Sequence, residues 1–373
     1  MSTNNILRSK TNPSAPQPEQ EGDDQEYKKG RGAQFNTPNH FEKQSVTREF
    51  LEGIDEWEQP DVPTQYIEVF PKRIVNKVDS PDVGMWYSMN PYQGCEHGCI
   101  YCFARNSFEY WGYSAGLDFE SKIMVKKNAA QLLRKFLMNP KWVPTPIMLS
   151  GNTDCYQPAE RTYRITRSLL EVCYEFNQPV GMITKNAGML RDLDILKKMA
   201  DRNLVSIIVS VTTLNEPLRR AMEPRTTTGL QRIRLIRELS NAGIRAGVML
   251  GPMIPGLNEH EMPAIIKAAS EAGASFSAYT FIRLNGAIKF LFHDWLYKNF
   301  PDKAEKVWHL IESGHGGQVN DSQFGRRISG EGNIAQMVAD QYRKYTKKFD
   351  LNHERTELDA SRFVRPGEQG TLF

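Results

Sequence analysis

The chain has 373 residues, 40 % hydrophobic and 24 % charged, an ordinary globular balance that excludes a mostly disordered protein. Its formal net charge is +3, from 47 Lys and Arg against 44 Asp and Glu, too weak a field to argue alone for a nucleic acid or a membrane. No apolar run reaches the roughly 18–20 residues that span a bilayer, the polar N-terminus lacks a secretory core, and five cysteines in so long a chain predict a reducing, cytoplasmic setting with metal or redox chemistry.

Residues 1–60 are expected to form a flexible arm: Gln17–Glu26 is polar and largely acidic, Lys28–Gly32 is basic, and neither follows a helical or strand period. Arg31-Gly32-Ala33 and the aromatic Phe35 and Phe41 are unusual for a linker, and leave open a segment that orders against the domain or a polyanion. Over 61–285 the texture alternates. Strand-like runs at Ile147–Gly151, Val180–Asn186, Val205–Thr213, Arg245–Met253 and Ser275–Arg283 are separated by segments with apolar residues at helical spacing. This predicts an α/β fold with a parallel sheet, open or barrel-like, whose chemistry sits at the C-terminal strand ends. Residues 286–350 read as a helical extension, with helices at Phe290–Phe300, Ala304–Ser313 and about Ile334–Lys348 and a Gly-rich loop over Ser313–Asn333. Residues 351–373 read as a second tail.

The strongest signal lies between Ser88 and Cys102, where Cys95, Cys99 and Cys102 are spaced C-x3-C-x2-C beside Gly94 and Gly98. Three thiolates from one tightly bent loop can ligate three irons of a cubane cluster and leave the fourth open. Structural zinc is the alternative, but it takes four ligands, usually from paired knuckles; His97 lies between the first two cysteines, and the chain has no second C-x2-C.

This pattern, with Tyr101 before the third cysteine and β/α units after it, resembles the radical S-adenosylmethionine superfamily. Asn90-Pro91-Tyr92, the stretch Thr153–Glu160, and Thr184-Lys185 resemble its spore photoproduct lyase-like branch, over about Ser88 to Arg283. The resemblance implies a partial (β/α)6 TIM-like barrel with flanking flexible tails. It also implies a 4Fe–4S cluster on Cys95, Cys99 and Cys102, with S-adenosylmethionine on the open iron. Reductive cleavage of that cofactor would then give a 5′-deoxyadenosyl radical, with the electron from a flavodoxin or ferredoxin-type donor.

The same resemblance distributes the cofactor-binding roles. Ser150-Gly151 and Asp154 stand where the superfamily receives the methionine ammonium, and a turn with a helix cap is the bland alternative. Lys185 would meet the methionine carboxylate. Tyr101, Ser210 and Thr212 are further candidates, the last two on one face of their strand. Met253-Ile254, within Gly251–Asn258, would pack on adenine. Arg225 would hold an anionic group or pair with Glu223. Cys155 is the candidate catalytic hydrogen donor, and Cys173 is a core thiol.

Arg326-Arg327 with Phe324 in the Gly-rich loop would suit a nucleic-acid backbone and a stacked base, or only a surface loop. Gln369, Leu372 and Phe373 resemble a sliding-clamp docking peptide. Nucleic acid is the leading substrate class. A protein or small-molecule substrate, and a non-enzymatic iron–sulfur or zinc module, are the alternatives.

Overall fold

The computed structural model describes residues 27–41, 63–353 and 357–367. Among the described residues ten strands form two sheets. In chain order they are β1 (Gln65–Val69), β2 (Val75–Lys77), β3 (Tyr87–Met89), β4 (Tyr92–Gln93), β5 (Lys122–Lys126), β6 (Ile147–Leu149), β7 (Val180–Thr184), β8 (Val205–Ser210), β9 (Arg245–Met253) and β10 (Phe276–Phe281). The main sheet has the order β10-β9-β8-β7-β6-β3-β2. Its six strands β3 and β6 to β10 run parallel, and β2 is antiparallel at one edge. Six parallel strands with crossover helices form a partial (β/α)6 barrel. The smaller sheet β1-β5-β4 lies beside it and was not foreseen.

The parallel strands are buried between helices, so their apolar residues run nearly without interruption, as in Val205–Val211. The segment after the β6 loop forms two helices, Glu160–Tyr163 and Ile165–Glu175, because Arg164 takes a left-handed φ of 51° between them. Beyond β10 the chain forms helices Ile288–Asn299, Pro301–Ser313 and Gly332–Lys348.

Both expected tails are corrected where they are described. Residues 27–41 are not a free arm: Arg31, Gly32, Ala33, Gln34 and Thr37 are buried against the cysteine loop and the helix Leu117–Ser121. Glu120, itself buried, supplies acceptors that make this segment worth ordering. Residues 357–367 cross the end of the barrel where the strands begin. Asp359 N–H donates to the Asn203 carbonyl ahead of β8, and Val364 N–H to that of Phe176 ahead of β7. Phe363 lies against Phe176.

The Gly-rich loop bridges the two edges of the open sheet. Phe281 and Leu284, at and beyond the end of β10, donate backbone N–H groups to the carbonyls of Ile328 and Val319. At the opposite edge Arg327 donates to Asp82 and Ser80, between β2 and β3. Arg326 pairs with Asp321 and Glu331. Both arginines are thus neutralised within the chain, which removes the expected Arg326-Arg327 surface for a nucleic-acid backbone.

Candidate active site

The cysteine loop follows β3 and β4, and the candidate residues fall on loops at the C-terminal ends of β6 to β9. The chain therefore brings segments from 95 to 258 to one end of the barrel. All three cysteines of the loop are free thiols; Cys95 and Cys99 are buried and Cys102 is half-buried. Gly98 has φ +66°, and a Cβ there would lie 2.8 Å from Glu120 Oε2, so only glycine fits this bend. Burial pushes the Cys99 thiol up to about 12, and Cys95 also rises well above its usual range, through burial and then Asp154. Among the described residues no group of three or more His, Cys, Asp or Glu converges on a point that would hold a single metal ion.

His97 is not a free ligand. It is buried, Nδ1 lies 3.4 Å from Asp154 Oδ2, and Nε2 lies 3.3 Å from the Asn186 amide nitrogen. Burial lowers its pKa to about 4 despite Asp154.

Asp154 is held by donors of its own chain. Its Oδ1 accepts from Thr184 Oγ1 at 2.8 Å and from the Tyr156 N–H at 2.9 Å. Its Oδ2 accepts from the Lys185 N–H at 2.8 Å and faces His97. Asp154 therefore ties the loop after β6 to the end of β7, and three of about four carboxylate acceptor sites are used. The loop itself is held by Asn90, whose Oδ1 accepts from Asn152 N–H at 2.9 Å, and by Thr153 Oγ1, which donates to the Tyr92 carbonyl at 2.8 Å. Ser150 has φ +73°, and its Oγ accepts from the Cys155 N–H at 2.7 Å. Gly151 sits against Ser88. The carbonyls of Gly151, Asn152 and Thr153 accept no hydrogen bond among the described residues.

Lys185 ends β7. Its Nζ lies 5.9 Å from the centroid of the Tyr101 ring and has no ion pair among the described residues. Burial pulls its pKa down, but Cys99 and Glu223 more than offset this, and the net shift is upward. It is a cation held charged beside the cysteines.

Tyr101 and Thr212 are both drawn into a buried network that the sequence did not reveal. Glu223 accepts from the Tyr101 hydroxyl, from Thr212 Oγ1 at 2.7 Å and from Arg232 Nη2 at 2.5 Å. Burial alone would raise the Glu223 pKa; Arg232, then Lys185, bring it down to about 2. Arg232 also donates to the Ser210 carbonyl at 3.1 Å. Arg225, read as a possible partner of Glu223, instead donates to the Gly30 carbonyl at 3.0 Å and to Thr64. Met253 and Ile254 are buried at the end of β9. Asn258 fixes their turn by accepting from Ile254 N–H at 2.6 Å and donating to the carbonyls of Thr212 and Pro252. Cys155, the expected hydrogen donor, is buried with its N–H on Ser150 Oγ, and burial followed by Asp154 raises its thiol pKa well above the usual range, which keeps its S–H protonated. Cys173 is a core thiol, as expected.

Residues 89–269 match the family model of the radical SAM superfamily. The chain belongs to that superfamily. It is a radical SAM enzyme, and the superfamily's cofactors are a 4Fe–4S cluster and S-adenosylmethionine. An uncharacterised protein of Mycobacterium tuberculosis is 31 % identical over 250 residues, covering 66 % of this chain and 74 % of the relative. An uncharacterised protein of Methanocaldococcus jannaschii is 25 % identical over 243 residues, covering 65 % and 86 %. A radical SAM Nα-GlyT isomerase of Pseudomonas phage M6 is 27 % identical over 174 residues, covering 46 % of this chain and 34 % of the isomerase. Spore photoproduct lyase complexed with a dinucleoside spore photoproduct shares the fold, with a TM-score of 0.57 at 15 % identity, over 80 % of this chain and 85 % of the lyase. Among the described residues no helix is long and apolar enough to cross a membrane.

Proposed function

We propose that Cys95, Cys99 and Cys102 hold the 4Fe–4S cluster, that Lys185 receives the carboxylate of S-adenosylmethionine, and that the enzyme acts on a base in a nucleic acid. The observation that carries the cofactor assignment is three free thiols on one bent loop beside a lysine with no ion pair among the described residues. A buried or half-buried cation without a counter-ion favours an anionic ligand. The carbonyls of Gly151, Asn152 and Thr153 and the remaining acceptor site of Asp154 receive the ammonium. The buried turn at Met253-Ile254, fixed by Asn258, offers an apolar wall for the adenine. Ser210 stands near the end of β8 as a hydroxyl for the ribose, whereas Tyr101 and Thr212 act through Glu223. When bound, the two cofactors supply a one-electron cleavage of the sulfonium and a carbon-centred radical that abstracts hydrogen. The chain's part is to orient them and to exclude water. Residues 61–285 are the catalytic unit, and 286–350 close its open side.

The nucleic-acid reading is supported by exposed aromatics next to the cysteine loop. Phe103, Tyr110 and Trp111 lie on the short helix Phe103–Trp111 that follows Cys102, and Phe41 stacks near Tyr110 with centroids 4.8 Å apart. Exposed rings suit base stacking in a sequence-tolerant way. A dinucleoside bound to spore photoproduct lyase is consistent with this class. A flavodoxin or ferredoxin-type protein is the proposed electron donor, in a cytoplasmic setting. The proposed clamp peptide, Gln369, Leu372 and Phe373, lies outside the described residues.

The test is anaerobic reconstitution with iron and sulfide, then assay of 5′-deoxyadenosine with and without single-stranded and duplex DNA. We expect a brown protein whose cofactor cleavage rises with DNA, and weaker DNA stimulation in Tyr110→Ala. Cleavage that ignores nucleic acid but responds to peptides or metabolites would overturn the substrate class. A protein that loads no cluster would overturn the whole reading.

A further inference from the structure

The segment Tyr27–Phe41 covers the outer face of the cysteine loop, and its contacts are made to that loop's own supports. Gly32 lies so close to the loop that a Cβ on it would fall 1.9 Å from the Gly98 carbonyl oxygen. The N–H groups of Gly32 and Ala33 donate to the two oxygens of Glu120 at 2.9 and 2.8 Å. Arg31 Nη1 donates to the Glu120 carbonyl at 2.7 Å. Glu120 in turn pairs with Arg105 at 2.5 Å, and neither side chain is exposed. Arg105 Nε donates to the carbonyl of Cys99 at 2.9 Å. A continuous chain of bonds therefore runs from Arg31-Gly32-Ala33 through Glu120 and Arg105 to the middle cysteine. The segment is anchored on both sides. Arg225 donates to the Gly30 carbonyl at 3.0 Å, Leu117 N–H donates to the Phe35 carbonyl at 3.3 Å, and Asn36 and Asp118 exchange two hydrogen bonds.

From this geometry we infer that Arg31-Gly32-Ala33 is a positioning strap for the iron–sulfur cluster: it seals the solvent side of the cysteine loop and sets the backbone of Cys99 through Glu120 and Arg105. The inference rests on the assignment of the cluster to Cys95, Cys99 and Cys102. Two physical consequences follow. A half-satisfied buried Arg105–Glu120 pair is costly, so the two N–H donors of the strap stabilise the ionised carboxylate that holds Arg105. The absence of a side chain at residue 32 lets the two backbones touch, which leaves no channel for water or oxygen at that point.

The experiment compares wild type, Gly32→Ala, Arg31→Ala and the neighbouring exposed Lys29→Ala as full-length chains, reconstituted anaerobically. The readouts are iron per chain, the spin-resonance spectrum of the reduced cluster with and without S-adenosylmethionine, and the rate of iron loss in air well below the melting temperature. We expect Lys29→Ala to match wild type. Gly32→Ala and Arg31→Ala should lose iron at least ten-fold faster in air, and their reduced spectrum should broaden or shift. Arg31→Ala adds no steric push, so it remains informative if Gly32→Ala fails to fold. If both variants fold and keep the wild-type spectrum and air stability, the strap is merely structural and the inference fails. If wild type itself binds no cluster, the cysteine assignment has failed instead.

Discussion

The Asp154 carboxylate accepts the backbone N–H of Lys185 at 2.8 Å, across 31 residues of chain. This one bond joins the loop after β6 to the end of β7, and Thr184 and Tyr156 donate to the same carboxylate.

Asp154→Asn should therefore act on the fold of the site before it acts on a ligand. The amide would present a donor to one of its present donors, and a hydrogen bond to a charged group contributes on the order of 1.5–3 kcal/mol. The apoprotein should melt about 2–4 °C lower per kcal/mol lost, and S-adenosylmethionine should bind at least ten-fold more weakly. An apoprotein melting curve identical to wild type, with affinity still lost, would show instead that Asp154 meets the ligand directly. Lys185→Ala should give the opposite pattern, with iron content and melting retained and affinity lost.

The five cysteines should separate into two groups. Cys95→Ala, Cys99→Ala and Cys102→Ala each remove one ligand, so each should lose the brown chromophore and cofactor cleavage. Cys155→Ala and Cys173→Ala should keep both, at a stability cost of about 1–2 kcal/mol for small buried cavities. Retained iron and activity in Cys99→Ala would contradict the cluster assignment. Loss of substrate turnover in Cys155→Ala, with cofactor cleavage intact, would place Cys155 in the chemistry.

Much of this site is written locally, and that part was legible. The cysteine spacing, Lys185 at a strand end and the runs that became β6 to β10 are short-range patterns. The cofactor and superfamily assignments followed from them. What was not legible depends on distant partners. Glu223 is an unremarkable carboxylate until folding places Tyr101, Thr212 and Arg232 around it. Asp154 could be recognised as an important residue, but whether it binds or braces depends on donors from Thr184 and Lys185. The first barrel strand, Tyr87–Met89, has three residues, too few to show any period. Arg31-Gly32-Ala33 has too little apolar surface to predict order; it is ordered because Glu120 and Gly98 offer it polar and steric complements.

The Glu223 network makes a pH-dependent contribution. Its folded pKa is about 2, against an ordinary value of 4.5, because Arg232 and Lys185 outweigh the opposing effect of burial. A depressed carboxylate stabilises the fold fully above its unfolded pKa and loses that contribution as pH falls toward the folded one. The window is therefore about pH 4.5 down to about pH 2, and the full contribution is on the order of 3 kcal/mol. Apoprotein urea midpoints for wild type and Glu223→Gln should differ by a constant amount between pH 5 and 8. The gap should narrow below pH 4.5. A gap independent of pH down to 3 would mean that Glu223 acts through shape alone.

The last prediction concerns the bridge between the sheet edges. Asp82 Oδ2 accepts from Arg327 Nε at 2.5 Å, Asp82 Oδ1 accepts from Gly325 N–H at 2.7 Å, and Ser80 accepts from Arg327 Nη2 at 2.5 Å. The other side of the loop is held by backbone bonds from Phe281 and Leu284, and by His315, whose ring N–H donates to the Ile282 carbonyl at 2.7 Å. At the β2–β3 edge every one of these ties runs through Asp82 and Ser80, so the loop should detach there first. Arg327→Ala and Asp82→Asn should each leave the cluster and cofactor affinity unchanged, because neither touches the cysteine loop or Lys185. Each should speed proteolysis within residues 316–330 by at least ten-fold. With the open side no longer closed, cofactor cleavage should continue while product per 5′-deoxyadenosine falls, since a thiol or other reductant from solvent would compete with substrate at the site. The double variant should be no worse than either single one, as expected for two halves of one contact. If the single effects add, or if proteolysis and coupling stay at wild-type values, the loop is a passive surface segment and the bridge has no part in catalysis.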